Sequence, residues 1–129
     1  MVNILLLSHS LKLVQGLKEI LGQMACHVNI EISGGTFDGG IGSNFEEIMQ
    51  KMNDLSDKGE LVVIFDIGSS MLNALTAYEM IDDEKKDKIV IADVPMVESA
   101  VQVAVMAEAG QSFNEIKQFL EENKMNKIE

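Results

Sequence analysis

Four short apolar runs alternate with stretches of helical spacing, and this alternation is the feature that most restricts the fold. The runs are Ile4 to Leu7, Val28 to Ser33, Leu61 to Phe65 and Ile89 to Ala92. Runs of this length closed by small polar residues have the character of strands buried on both faces, while Val28 to Ser33 is a shorter strand that alternates Val, Ile and Ile with Asn and Glu. Between the first two, Leu13, Val14, Leu17, Ile20, Leu21 and Met24 recur at three- and four-residue spacing, which describes an amphipathic helix. Ile48, Met52 and Leu55 repeat the pattern after the second run, and Met71, Leu72, Leu75, Tyr78 and Ile81 after the third. Strands separated by helices imply βαβ units. The expected fold is therefore α/β: a doubly wound, mainly parallel four-stranded sheet with helices on both faces.

The boundaries follow from local chemistry. Gly34 to Gly42 carries five glycines and is expected to be a loop, after which Ser43 with Glu46 has the form of a capping box. Asp82 to Lys88 is expected to be a charged, solvated turn. Pro95 suits the first turn of a helix over Val97 to Ala109, apolar enough to be buried or to meet a second subunit. Ser112 with Glu115 opens a last helix containing Phe113, Ile116, Phe119 and Leu120. With 129 residues the chain is expected to form one domain over 1–122, with 123–129 a polar tail that frays.

The charge balance excludes whole classes of partner. The formal charge is −11, which argues against nucleic acid and against anionic membranes. Met1 to Leu7 is too short for a membrane span and lacks a basic leader, so a cytoplasmic location is expected. All 10 basic residues are lysine. Without arginine, any phosphate site must use backbone N–H groups, hydroxyls and helix N-termini. Cys26, the single cysteine, is expected to be buried filler, and the nine methionines core packing. His27 opens the second run and is expected to be structural. No His, Cys and Asp cluster has ligand spacing, so no metal site is expected.

Chemistry concentrates at the ends of the runs. Ligands of open α/β sheets bind just outside the carboxyl ends of the strands. There the sequence places Ser8-His9-Ser10, then Gly34-Gly35-Thr36, then Asp66-Ile67-Gly68-Ser69. An aspartate within reach of one imidazole nitrogen fixes the tautomer and leaves the other free to attack. His9, Asp66 and two turns rich in N–H groups and hydroxyls form a plausible phosphoryl-transfer set. A receiver domain phosphorylated on Asp66 fits poorly, because the first strand ends in Ser8-His9-Ser10 rather than an acidic pair. A histidine phosphatase lacks its arginines.

These segments carry a resemblance. Ile4 to Ser10, Gly34 to Thr36 with Gly39, Ile41, Gly42 and Ser43, Asp66 to Ser69, and Pro95-Met96-Val97-Glu98 occur in order over the first hundred residues. The chain resembles the enzyme IIA domains of the mannose-class phosphotransferase system. Within that class it is similar to the phosphotransferase subunits of bacterial dihydroxyacetone kinases. The resemblance implies a transient phosphohistidine at His9 and an orienting role for Asp66. It implies that Ser10, Gly34, Gly35, Thr36, Gly68 and Ser69 surround the phosphoryl group. The implied donor is HPr, charged ultimately from phosphoenolpyruvate, and the implied acceptor is ADP on the nucleotide-binding subunit of the kinase. No tightly bound cofactor is implied, and the family is homodimeric. The alternative within the class is a IIA component feeding a sugar permease.

Overall fold

The computed structural model describes residues 1–127. Four strands are present: β1 (Asn3–Ser8), β2 (Ile30–Gly34), β3 (Leu61–Phe65) and β4 (Ile89–Ala92). The helices are α1 (Leu11–Met24), α2 (Phe45–Lys58), α3 (Gly68–Glu79), α4 (Asp83–Lys86), α5 (Met96–Glu108) and α6 (Phe113–Glu122). All strand pairs are parallel, in the order β2-β1-β3-β4. The expected doubly wound α/β sheet is what forms.

The runs of β1 and β3 are continuous rather than alternating because both sheet faces are covered there. Ile4, Leu6, Val62 and Ile64 face a layer of α1, α5 and α6, through Val14, Leu17, Leu21, Val103, Ile116 and Leu120. Leu5, Leu7, Val63 and Phe65 face α2 and α3, through Ile48, Met52, Leu55, Ala74 and Ala77. Ile4, Leu5 and Leu6 are wholly buried. At about 1.5–3 kcal/mol for each large apolar side chain removed from water, the two central strands hold the sheet between its layers.

Several boundaries differ from the sequence expectation. The cap of α2 is Asn44, whose side chain accepts from the Glu47 N–H, so Ser43 and Glu46 form no capping box. Asparagine caps as well as serine, and one residue decides the register. The box at Ser112 and Glu115 does form. The second strand begins at Ile30, because Val28 closes a turn onto the Ala25 carbonyl. The charged stretch includes the short α4, with acidic residues in its first turn and lysines in its last. Cys26 is exposed, not buried filler. Met52 and Met106 are core residues, but Met1, Met24, Met80 and Met125 are exposed.

The tail is not loose as far as it is described. Met125 N–H donates to the Asp93 carbonyl (2.7 Å), and Lys127 Nζ donates to the Phe65 carbonyl (2.7 Å) while lying over the Phe65 ring. Residues 128 and 129 of the expected tail lie outside the described residues.

Two glycines set the loop after β2 against the start of α1. A Cβ on Gly34 would lie 2.7 Å from the Leu11 Cα and 2.8 Å from the Ser10 carbonyl oxygen. Gly35 has φ +76°, and a Cβ there would lie 2.6 Å from the Gly40 carbonyl oxygen. The Gly42 N–H closes the arrangement by donating to the His9 carbonyl (3.0 Å).

Candidate functional site

The chain leaves β1 toward β2 on one side and later enters β3 on the other. β1 and β3 are therefore the neighbours at which the strand order reverses, the crevice where open α/β sheets bind ligands. His9 follows β1 directly and Asp66 follows β3 directly. The register pairs Leu7 with Phe65, so Asp66 stands level with Ser8, one residue before His9.

Asp66 is held from several sides. Its Oδ2 accepts from the Ser8 hydroxyl (2.9 Å) and the His9 N–H (3.0 Å). Its Oδ1 accepts from the Ile67 N–H (2.7 Å) and the Ser70 hydroxyl (3.0 Å), and faces His9 Nδ1 at 3.3 Å. Burial pushes the Asp66 carboxyl up, but the N–H groups of His9 and Ile67 and the hydroxyls of Ser8 and Ser70 outweigh it. Its pKa lies below the ordinary carboxylate value, and the group is an anion near neutral pH.

The imidazole is thereby oriented. With Nδ1 directed at the carboxylate, the network assigns the proton to Nδ1 and the lone pair to Nε2. Ser69 Oγ lies 2.6 Å from Nε2 and Ser70 Oγ 3.2 Å from Nδ1. The His9 side chain is 21% exposed and that of Asp66 15%, so the ring can be reached from outside while its partner stays screened. Gly68 and Ser69 open α3, whose first-turn N–H groups have no partner within the helix.

Not every residue singled out from the sequence turns toward His9. Ser10 caps α1: its hydroxyl accepts from Leu13 N–H, and its own N–H donates to Ser8 Oγ. The Gly35 N–H donates to the Ser8 carbonyl (3.2 Å). The Thr36 hydroxyl donates to Asp38 and accepts from the Gly40 N–H, within its own loop. Gly34 contributes closeness rather than a donor, through the contact described above. Ser8 and Ser70 hold Asp66; the sequence marks Ser8 only as a neighbour of His9 at the strand end and does not mark Ser70. Ser70 lies four residues after Asp66, one helical turn on, which is a signal the sequence contained.

A family model described as "PTS system fructose IIA component", EIIA-man, matches residues 3–117. The chain belongs to the EIIA-man family.

Relatives within reach of the EIIA-man match are consistent with one another. The chain is 38% identical over 121 residues to a protein of Listeria innocua named PEP-dependent dihydroxyacetone kinase 2, phosphoryl donor subunit DhaM, covering 93% of this chain and 97% of that one. It is 32% identical to a Lactococcus lactis protein named PTS-dependent dihydroxyacetone kinase, phosphotransferase subunit DhaM, covering 92% of this chain and 93% of that one. A Providencia stuartii donor subunit DhaM is 30% identical over 90% of this chain, but the chain spans only 25% of that protein's length. Among solved structures, one described as that of unknown function protein EF1359 superposes with a TM-score of 0.81 at 31% identity, covering 89% of this chain and 88% of that one. No helix among the described residues is long and apolar enough to cross a membrane.

Proposed function

We propose that residues 1–122 form one phosphocarrier unit that accepts a phosphoryl group on His9 Nε2 and passes it to ADP on the nucleotide-binding subunit of a dihydroxyacetone kinase. The observation that carries this reading is the His9 ring held between the Asp66 carboxylate on Nδ1 and the Ser69 hydroxyl on Nε2, at the crevice between β1 and β3. Relatives whose names describe phosphoryl donor subunits support the choice of pathway.

The chemistry follows from the ring's tautomer. The Nε2 lone pair attacks phosphorus in line, and the N–P bond forms as the donor's bond to phosphorus breaks. The Asp66 carboxylate holds the Nδ1 proton and stabilises the cationic ring that the bond creates. For the phosphoryl group to sit on Nε2, the Ser69 hydroxyl must turn from donating to the Nε2 lone pair to donating to a phosphoryl oxygen. Gly68 and Ser69 open α3, and their first-turn N–H groups are available as donors in a chain that has no arginine. Donors of this kind stabilise the transferring group without clamping it, which suits a relay that must also release it. The Gly34-to-Gly42 loop acts from behind: Gly34 and Gly35 seat the turn that carries His9.

Both partners in this reading are proteins: HPr, charged from phosphoenolpyruvate, as donor, and the kinase subunit as acceptor. Exposed Phe37 and Ile41 lie on the glycine loop, and exposed Ile67 and Leu72 on the approach to α3 and on α3 itself. Exposed large apolar side chains on the segments that follow β2 and β3 suit a protein partner better than a small sugar.

The test is intact mass after incubation with phosphoenolpyruvate, enzyme I and HPr, with and without the ADP-loaded kinase subunit. One acid-labile phosphoryl group should appear, be absent from His9→Ala, and be discharged by the subunit. A group that the subunit fails to discharge would reassign the chain to feeding a sugar permease. Labelling that survives in His9→Ala would remove His9 from its role.

A further inference from the structure

The far end of the sheet from His9 holds a second cluster of chemically active side chains. Cys26 and His27 stand in the turn after α1, and Glu108 is the last residue of α5. Cys26 Sγ, a His27 ring nitrogen and a Glu108 carboxylate oxygen all lie within 4.8 Å of one another. No spacing rule finds this set, because Glu108 is 81 residues from His27.

We propose that Cys26, His27 and Glu108 form a binding site for a divalent transition metal of the zinc class. A tetrahedral site with a Zn–S bond of about 2.3 Å and a Zn–N bond of about 2.0 Å has an S···N edge of roughly 3.5 Å. Cys26 Sγ and His27 Nδ1 are separated by 3.5 Å. His27 Nδ1 and Glu108 Oε2 are 2.8 Å apart, so this edge opens by about half an ångström to admit the ion.

The third ligand is already held for the purpose. Glu108 Oε1 accepts from the backbone N–H of His27 at 2.8 Å, which leaves Oε2 for the metal. Both supporting helices end here: Cys26 follows the cap of α1, and Glu108 closes α5. Helix C-termini carry partial negative charge and favour a cation between them. Thiolate, imidazole and carboxylate together suit zinc, which accepts all three, rather than magnesium or calcium, which take oxygen. Cys26 and His27 are exposed, so water can fill the fourth position.

Binding breaks the S–H bond and forms the S–metal bond, and the proton goes to solvent, so affinity falls as pH is lowered. A bound ion ties the turn before β2 to the end of α5 and stabilises the folded chain. It lies remote from His9 and does not rest on the phosphotransfer reading.

The experiment uses the full chain, freed of metal by a chelator, under reducing conditions. Zn2+ alone is titrated against a competing chromophoric chelator, and Co2+ is followed by the absorbance of its thiolate bond. One ion should bind per chain, with a thiolate-to-cobalt band and a rise in melting temperature on Zn2+ addition. Cys26→Ser should abolish the band, and Cys26→Ser, His27→Ala and Glu108→Gln should each weaken Zn2+ by about tenfold or more. These side chains are at the surface, and circular dichroism checks that each variant is folded. His9→Ala should bind Zn2+ like the parent chain. Absence of saturable binding at micromolar metal, Zn2+ affinity unchanged in Cys26→Ser, or binding lost in His9→Ala would overturn the proposal.

Discussion

Replacing Asp66 with asparagine changes one atom and tests the site's central claim. The carboxylate accepts from two backbone N–H groups, one on each oxygen: His9 on Oδ2 and Ile67 on Oδ1. The hydroxyls of Ser8 and Ser70 can rotate to suit an amide, but backbone N–H groups cannot. Whichever way the asparagine turns, its NH2 faces one of them. The variant therefore loses one charge-assisted hydrogen bond and leaves a donor unpaired, a cost of about 2 kcal/mol at neutral pH. With an m-value near 2 kcal/mol/M, the urea midpoint should fall by about 1 M, while the chain stays folded in water. The sign with pH is fixed. The folded carboxyl has a depressed pKa, so its stabilisation is complete above about pH 5 and is lost as pH falls through the folded value. Asparagine does not titrate. The gap between parent and Asp66→Asn should thus be largest at neutral pH and close as pH falls through the depressed folded pKa of Asp66. Urea unfolding followed by circular dichroism at several pH values measures it. Equal midpoints at pH 7, or a gap that does not change with pH, would refute the assignment of Asp66 as a hydrogen-bonded anion. In the phosphoryl-transfer assay the same variant should be slowed, and transfer at the parent rate would leave Asp66 a structural residue only.

Ser69→Ala should slow phosphoryl acceptance while changing stability by less than about 0.5 kcal/mol, since it removes one exposed hydroxyl; urea midpoints and labelling rates measured side by side check both parts. Ser70→Ala removes a bond from a buried hydroxyl to half-buried Asp66 and should cost about 1 kcal/mol, read as a shift in the urea midpoint. Gly34→Ala drives a Cβ to 2.7 Å from the Leu11 Cα, a backbone clash that should cost about 1–3 kcal/mol and slow labelling of His9 by displacing its turn; a stable, fully active variant would contradict the close approach. Leu6→Ala empties a wholly buried position and should lower stability by about 2–5 kcal/mol in the same denaturation assay.

Much of this protein was legible because its information is local. A strand buried on both faces must be apolar at every position, so Ile4 to Leu7 and Leu61 to Phe65 declare themselves. Amphipathic spacing declares α1 and α2. His9 and Asp66 were found because polar residues closing such runs mark strand ends. Where local signals competed, they decided less. Ser43 and Asn44 are both good caps, and the packing of Phe45 and Ile48 against the sheet chose the second.

Tertiary structure decided what depends on distance across the chain. Strand order put β1 beside β3, and only then did the His9 ring meet Asp66, 57 residues away. It turned Thr36 into its own loop and brought Ser70 under the imidazole, because hydroxyl direction follows from turn and helix geometry and not from residue type. It also brought Glu108 to Cys26 and His27, since α1 and α5 lie in one layer over the sheet. The sequence by itself determined the alternation of strands and helices and the residue types at each strand end. Which of those residues face one another was decided by burial of the two sheet faces, a condition only the whole chain can satisfy.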